Sequence, residues 1–161
     1  MHFVFINQYY PPDAAPTGIM LVRVVQEIVE AGHQVTVICA KGGYASKGDD
    51  DKELKRAEEL QQDGVKVVRV GATSFGRGSF IGKLVDYVSF YVGVVLALVG
   101  LSHKPDKIVA LTTPPYLSIL ARVFSKRHGC GHSHWVMDLY PDVMVAHGML
   151  KSGSVLHRLL A

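Results

Sequence analysis

The stretch Tyr9-Tyr10-Pro11-Pro12-Asp13-Ala14-Ala15-Pro16-Thr17-Gly18 joins a short apolar run to an amphipathic one. A glycine where a loop enters a helix lets a ligand approach the backbone, and the amides of a helix start point at that ligand. The position therefore suits an anion or a sugar. The same glycine also suits tight packing of loop on helix, and spacing alone does not separate the two roles. A dinucleotide site is not expected. The loop has Gly18 as its one glycine where a Gly-x-Gly-x-x-Gly fingerprint would stand. The second apolar run ends Cys39-Ala40-Lys41, without the acidic residue that holds a ribose.

Two other clusters invite a metal reading. His128, Cys130, His132 and His134 fall within seven residues, but His128 ends one predicted element and His132 and His134 begin the next. No second Cys/His group completes a structural zinc spacing, so no metal site is expected. Asp49-Asp50-Asp51 lacks the spaced ligands and terminal glutamate of a calcium loop and reads as a solvated charge run.

The elements that must position these residues alternate between strand and helix. Residues 2–6, 34–39, 65–70, 107–111 and 132–138 are apolar or β-branched runs that predict five strands. Residues 19–31 put Leu21, Val24, Val25 and Ile28 on one face and predict a helix closed by Gly32. Residues 53–62 are expected to form one or two turns of polar helix, and residues 80–102 a long apolar one. Thr112-Thr113-Pro114-Pro115 is expected to start a helix that runs to His128, with proline in its first turn and Gly129 as its stop. Repeated strand–helix–strand units predict an α/β, Rossmann-like parallel sheet with helices on both faces. Ligands bind such sheets beyond the carboxyl ends of the strands. The candidate site therefore lies in the loops 7–18, 40–43, 112–115 and 138–142.

Composition narrows the class. The chain has 161 residues, 48% hydrophobic and 19% charged, with two cysteines. That fits one globular domain and excludes a disordered segment or a disulfide scaffold. A formal charge of +3 is too small for a dedicated nucleic-acid binder, but it suits phosphorylated ligands or an anionic membrane. The mean hydropathy of +0.20 is high for a small domain and points to a large core or to apolar surface awaiting a partner. The opening residues lack a basic n-region and are expected to form a buried strand rather than a signal peptide. Residues 154–161 read as an amphipathic helix that starts without a stop signal, so the natural chain is expected to continue.

Four blocks taken together resemble the N-terminal half of family 4 glycosyltransferases. They are Tyr10-Pro11-Pro12 with Thr17-Gly18, then Gly32-His33-Gln34-Val35, then Lys104-Pro105-Asp106-Lys107 leading to Thr113-Pro114-Pro115, then Asp138-Leu139-Tyr140-Pro141-Asp142 with Gly148-Met149-Leu150. The Asp-Leu-Tyr-Pro-Asp block looks most like the branch that builds bacterial surface polysaccharides. The resemblance implies one half of a two-domain GT-B enzyme: residues 1–150 as the acceptor-side domain, and 151–161 as the start of a helix leading to a donor-binding domain. It implies retaining transfer of a hexosyl unit from a nucleotide sugar, UDP-linked by family habit, to a saccharide or polyprenyl-linked acceptor, with no other cofactor. The fragment alone is expected to be inactive. By the same likeness Thr17, Gly18, Thr113, Tyr140 and Asp142 are expected to bind substrate. Asp138 stands where relatives place a histidine and is expected to be catalytic, accepting sugar hydroxyls or offsetting charge in an oxocarbenium-like transition state. A turn-capping role for Asp138 is its alternative. The rivals are a non-catalytic binding module of the same fold and a stand-alone Rossmann-like enzyme with another nucleotide cofactor.

Residues 87–101 are fifteen in a row without a charge. As a helix they span about 22 Å, short of a bilayer core of roughly 30 Å, so a transmembrane span is not expected. A helix packed on the sheet is one reading. The other is that Phe75, Arg77, Phe80, Lys83 and Tyr87 form a basic, aromatic edge that rests on a membrane. The expected location is the cytoplasm, at the inner face of the cell membrane if that edge binds lipid.

Overall fold

A computed structural model describes residues 1–41, 58–71, 73 and 80–160 of the chain. The elements in order are β1 (His2–Ile6), α1 (Pro16–Glu30), β2 (Gln34–Lys41), β3 (Glu58–Gln62), β4 (Val65–Gly71), α2 (Phe80–Val99), β5 (Lys107–Leu111), α3 (Leu117–His128), β6 (Gly131–Trp135), α4 (Asp142–Ala146) and α5 (Val155–Leu160). They build one six-stranded sheet in the order β3-β4-β2-β1-β5-β6. The five strands other than β3 run parallel, as the strand–helix alternation predicts.

Alternation along the strands divides the core between the two faces. Phe5, Val37, Cys39, Val109 and Leu111 pack with Leu21 and Val25 of α1 on one face. Val4, Ile6, Ile38, Ala40, Ile108 and Ala110 pack with Phe90, Val94 and Leu98 of α2 and Leu117, Ala121 and Phe124 of α3 on the other. Helices therefore cover both faces. Of the face expected on α1, Leu21 and Val25 are buried and Ile28 packs against them, but Val24 is exposed; Gly32 follows at φ +82, a conformation that costs glycine little. Gly129 closes α3 in the same way, at φ +59.

Four expectations are corrected. Residues 58–62 are not helix but strand β3, antiparallel to β4. The cause is the pair Asp63-Gly64, with φ of +49 and +79, which makes a two-residue hairpin loop. Helix α3 begins at Leu117 rather than at the prolines. Pro114 and Pro115 disfavour helical backbone in the residues before them, and Tyr116 turns the chain at φ +67. Strand β6 ends at Trp135, so Asp138 lies three residues beyond it rather than in it. Finally, α2 carries an apolar window from Gly82 to Val99 with mean hydropathy 1.6, long enough to cross a membrane by length and composition, so length no longer excludes a span. Its inner face is nevertheless packed on the sheet, with Phe90, Val94 and Leu98 fully buried.

The topology fixes where a ligand should sit. From β1 the chain moves outward through β2 to β4, then returns by α2 to β5 on the opposite side of β1. The strand order reverses between β1 and β5, and in open parallel sheets the crevice at the carboxyl end of that junction is the binding position.

Candidate functional site

The β1–β5 crevice is lined by three residues that close apolar strands with polar side chains. Asn7 and Gln8 follow β1, and Thr112 follows β5. All three are buried, at 0%, 9% and 3% exposure. The ladder continues one step past the strands, with the Gln8 amide donating to the Thr113 carbonyl at 2.9 Å and the Ala40 amide to the Gln8 carbonyl at 2.9 Å. Extending the β1–β5 register from Ile6 and Ala110 puts Gln8 opposite Thr112. Among the described residues, Asn7 Oδ1, Gln8 Oε1 and Thr112 Oγ1 have no hydrogen-bond partner. Native cores rarely leave such atoms unpaired, since each costs about 1–3 kcal/mol.

The loop after β1 is held from two sides. Asn7 Nδ2 donates to the Tyr9 carbonyl at 2.7 Å and to Thr17 Oγ1 at 3.4 Å. The Arg69 guanidinium donates to the Pro11 carbonyl and, at 3.6 Å, to Cys39 Sγ. Burial, followed by the neighbouring Cys39, pushes the Tyr10 hydroxyl up to about 12, and burial pushes the Cys39 thiol up to about 12, so both stay neutral. Gly18 is buried in the first turn of α1. A Cβ there would stand 3.1 Å from the Tyr9 carbonyl oxygen. The packing role is therefore real whatever else the glycine does. The start of α1 offers an anion little. Pro16 has no N–H, and the amides of Gly18 and Ile19 already donate to the Ala15 carbonyl.

Tyrosines gather around the loops after β5 and β6. Tyr91 donates its hydroxyl to the Pro115 carbonyl. The rings of Tyr116 and Tyr140 lie 6.4 Å apart. The Tyr140 hydroxyl is pushed up by burial, then by the charge of Asp138, with Tyr87 and Tyr116 adding to it. Tyr91 is pushed up to about 12 by burial, with Tyr87 and Tyr116 nearby. These phenols remain protonated donors at neutral pH.

The sequence-derived residues fall as follows. Thr17 meets Asn7, Gly18 meets Tyr9, and Thr113 ties β5 to β1 through its carbonyl. Tyr140 and the half-buried Asp138 share the tyrosine cluster, whereas Asp142 is exposed as the first residue of α4. Gly18 stands in the first turn of α1, which follows β1, and Asp138 in the loop after β6, with β5 between those strands. Of the residues proposed for membrane contact, Phe75 and Arg77 lie outside the described residues. Phe80 opens α2, Lys83 is exposed, and Tyr87 is half-buried near Tyr140. His128 stacks on Phe124 at 6.3 Å, while His132 and His134, two residues apart in β6, share one face of that strand. Asn7, Gln8 and Thr112 lie in loops expected to hold the site but are not singled out by the sequence, and Tyr91 and Tyr116 lie outside those loops. The signal for the first three was in the sequence, as polar residues placed directly after apolar strands, at the edge where ligands bind.

A largely parallel sheet covered by helices on both faces defines a Rossmann-like α/β domain. The family described as glycosyl transferase 4-like domain matches residues 17–161. The chain belongs to that family and is a glycosyltransferase-type domain. Comparison with curated proteins gave no match.

Proposed function

We propose that this chain is the acceptor-side half of a retaining glycosyltransferase. In this reading it moves a hexosyl unit from a UDP-linked sugar to a saccharide or polyprenyl-linked acceptor, in bacterial surface-polysaccharide synthesis. The observation that carries the proposal is the family match over residues 17–161, with protonated tyrosines gathered at the carboxyl edge around the loops after β5 and β6. A polyhydroxylated ring offers both donors and acceptors and suits such a lining. Asp138, beside Tyr140, is the residue assigned to the developing positive charge of the sugar, with Thr17, Gly18, Thr113, Tyr140 and Asp142 placing the substrates. A partner domain supplies the nucleotide-sugar site, and the reaction runs at the inner face of the cell membrane.

Label transfer from UDP-sugars to a polyprenyl-diphosphate-linked acceptor, by enzyme containing this domain, tests the proposal. Asp138→Asn is expected to lower the rate on the order of 10²–10³ with its thermal midpoint nearly unchanged. The 161-residue chain alone is expected to transfer nothing and to show no micromolar UDP-sugar binding by calorimetry. Normal rates in Asp138→Asn, or tight donor binding by the isolated chain, would overturn the assignment.

A further inference from the structure

Three residues stand in one row across the carboxyl edge, on the face that α1 covers. Arg69 of β4 pairs with Cys39 of β2, and one step beyond the Ile6–Ile38 pair Asn7 comes opposite Cys39. Asn7 and Arg69 hold the loop after β1 from the two ends of that row. Asn7 acts through the Tyr9 carbonyl and Thr17 Oγ1, Arg69 through the Pro11 carbonyl. We infer that Arg69 is a positioning residue: it latches residues 9–15 over Cys39 and so sets the geometry in which Thr17 and Gly18 meet a substrate, without touching the substrate itself. The inference rests on the substrate role proposed above for Thr17 and Gly18.

The composition of the loop explains why it takes a donor from outside. Pro11, Pro12 and Pro16 have no N–H, so the segment has few amides with which to fasten itself. It is drawn inward all the same, with Tyr10 and Asp13 buried. Arginine suits the task, because its rigid fork of N–H donors reaches two acceptors at once, here the Pro11 carbonyl and, at 3.6 Å, Cys39 Sγ. Val65 and Val67, in the same stripe of β4, are core residues. A charge as the next member of that stripe is costly unless its donors are used. Cys39 is enclosed by the arrangement. It is fully buried, the charges of Arg69 and Asp13 act on it, and Tyr10 lies close enough to feel it. Access to this thiol therefore reports whether the loop is shut.

The test uses the 161-residue chain with Cys130→Ser, which leaves Cys39 as its one thiol, and follows modification by the aromatic disulfide DTNB at fixed pH. Arg69→Met is expected to speed modification about 10-fold, the effect of losing one hydrogen bond from a charged donor, and Arg69→Lys to fall between. Loss of the guanidinium charge alone would slow the reaction, since that charge draws the thiol's pKa down, so acceleration marks opening. The faster rate should not change with urea below the unfolding transition, as local opening requires. The ¹⁵N signal of the Asn7 side-chain amide, which bonds to Tyr9 and Thr17, should move in Arg69→Met and return in Arg69→Lys. In enzyme containing this domain, Arg69→Met should lower kcat/KM on the order of 10²-fold, with Arg69→Lys recovering part of it. An unchanged thiol rate with an unchanged Asn7 signal, or an acceleration that grows with urea, would overturn the latch. An opened loop with normal kcat/KM would overturn the positioning role. If the unaltered enzyme transfers no sugar, the transfer reading falls, and the thiol and amide signals still decide the latch.

Discussion

At Gly18 two demands meet on one residue. It lies in the first turn of a helix, where alanine would gain about 1 kcal/mol of propensity. Against that, a Cβ would stand 3.1 Å from the Tyr9 carbonyl oxygen and 3.3 Å from its carbon, and backbone yields less readily than a side-chain tip. The clash should win. Gly18→Ala is expected to lose about 1 kcal/mol and Gly18→Val about 2–3 kcal/mol in denaturant unfolding. An unchanged or raised midpoint for Gly18→Ala would show that the loop gives way freely. His2 carries a pH effect of defined sign. Burial lowers its pKa from 6.5, with Asp106 opposing and Thr36 Oγ1 at 2.9 Å from Nε2. A lowered pKa means that the unfolded chain takes up the proton first. Stability is therefore complete above pH 6.5 and is lost as pH falls toward and through the folded value. His134, lowered by burial and then by His132, acts in the same direction. The thermal midpoint is expected to drop as pH falls below 6.5, and His2→Gln to flatten that drop; an equal slope in the variant would assign it elsewhere.

The hairpin of β3 and β4 shows what local sequence can and cannot announce. Glu58-Glu59-Leu60-Gln61-Gln62 has the composition of a helix, and propensity alone predicts one. The structure pairs it instead with the buried β4, whose Val65, Val67, Val68 and Val70 are core residues. Pairing and packing override propensity in an edge strand, since strand preference is mostly a matter of neighbours. The Asp63-Gly64 dipeptide was the legible signal, because a two-residue loop with positive φ at both positions favours those residue types. At Gly64 the backbone stands at φ +79 and a Cβ would come 3.0 Å from Val29 Cγ1 of α1. Gly64→Ala is therefore expected to cost about 1–2 kcal/mol by denaturant unfolding, combining left-handed strain with the contact. A neutral result would mean that the hairpin relaxes into another turn. Strands β1, β2, β4 and β5 were legible because parallel strands buried on both faces read as unbroken apolar runs, whereas the edge strand β6 is the part-exposed Gly131-His132-Ser133-His134-Trp135. Gln8 and Thr112 fall in the expected site loops, but nothing in one sequence pairs them. Only the order β2-β1-β5 makes them neighbours.

At the scale of the whole molecule, the outer face of α2 is an apolar surface that the fold leaves unexplained. The inner face of α2 is committed to the sheet, yet Leu84, Val88, Val92, Leu96 and Val99 recur along its outer face and are exposed, Leu96 at 67%. The adjoining α3 adds exposed Ile119 and Val123, and Lys83, Arg122, Lys126 and Arg127 are exposed on the same two helices. A helix half-committed to a sheet cannot cross a bilayer without uncovering Phe90, Val94 and Leu98. It can lie in the interface, with its outer residues in the acyl boundary and basic groups at the headgroups. Each basic residue near an anionic surface contributes about 1 kcal/mol, and that share is screened by salt, whereas apolar insertion is not. The proposed membrane location therefore predicts two components. The chain should sediment with anionic vesicles and keep part of that binding at high salt. Val88→Glu with Val92→Glu changes two residues already 53% and 55% exposed, so stability should move by no more than about 0.5 kcal/mol per site. The salt-resistant part should vanish in that double variant and the salt-sensitive part should weaken. Unchanged sedimentation would place lipid contact elsewhere, and a shift to monomer from a larger species in the same variant would assign the apolar face to a protein partner.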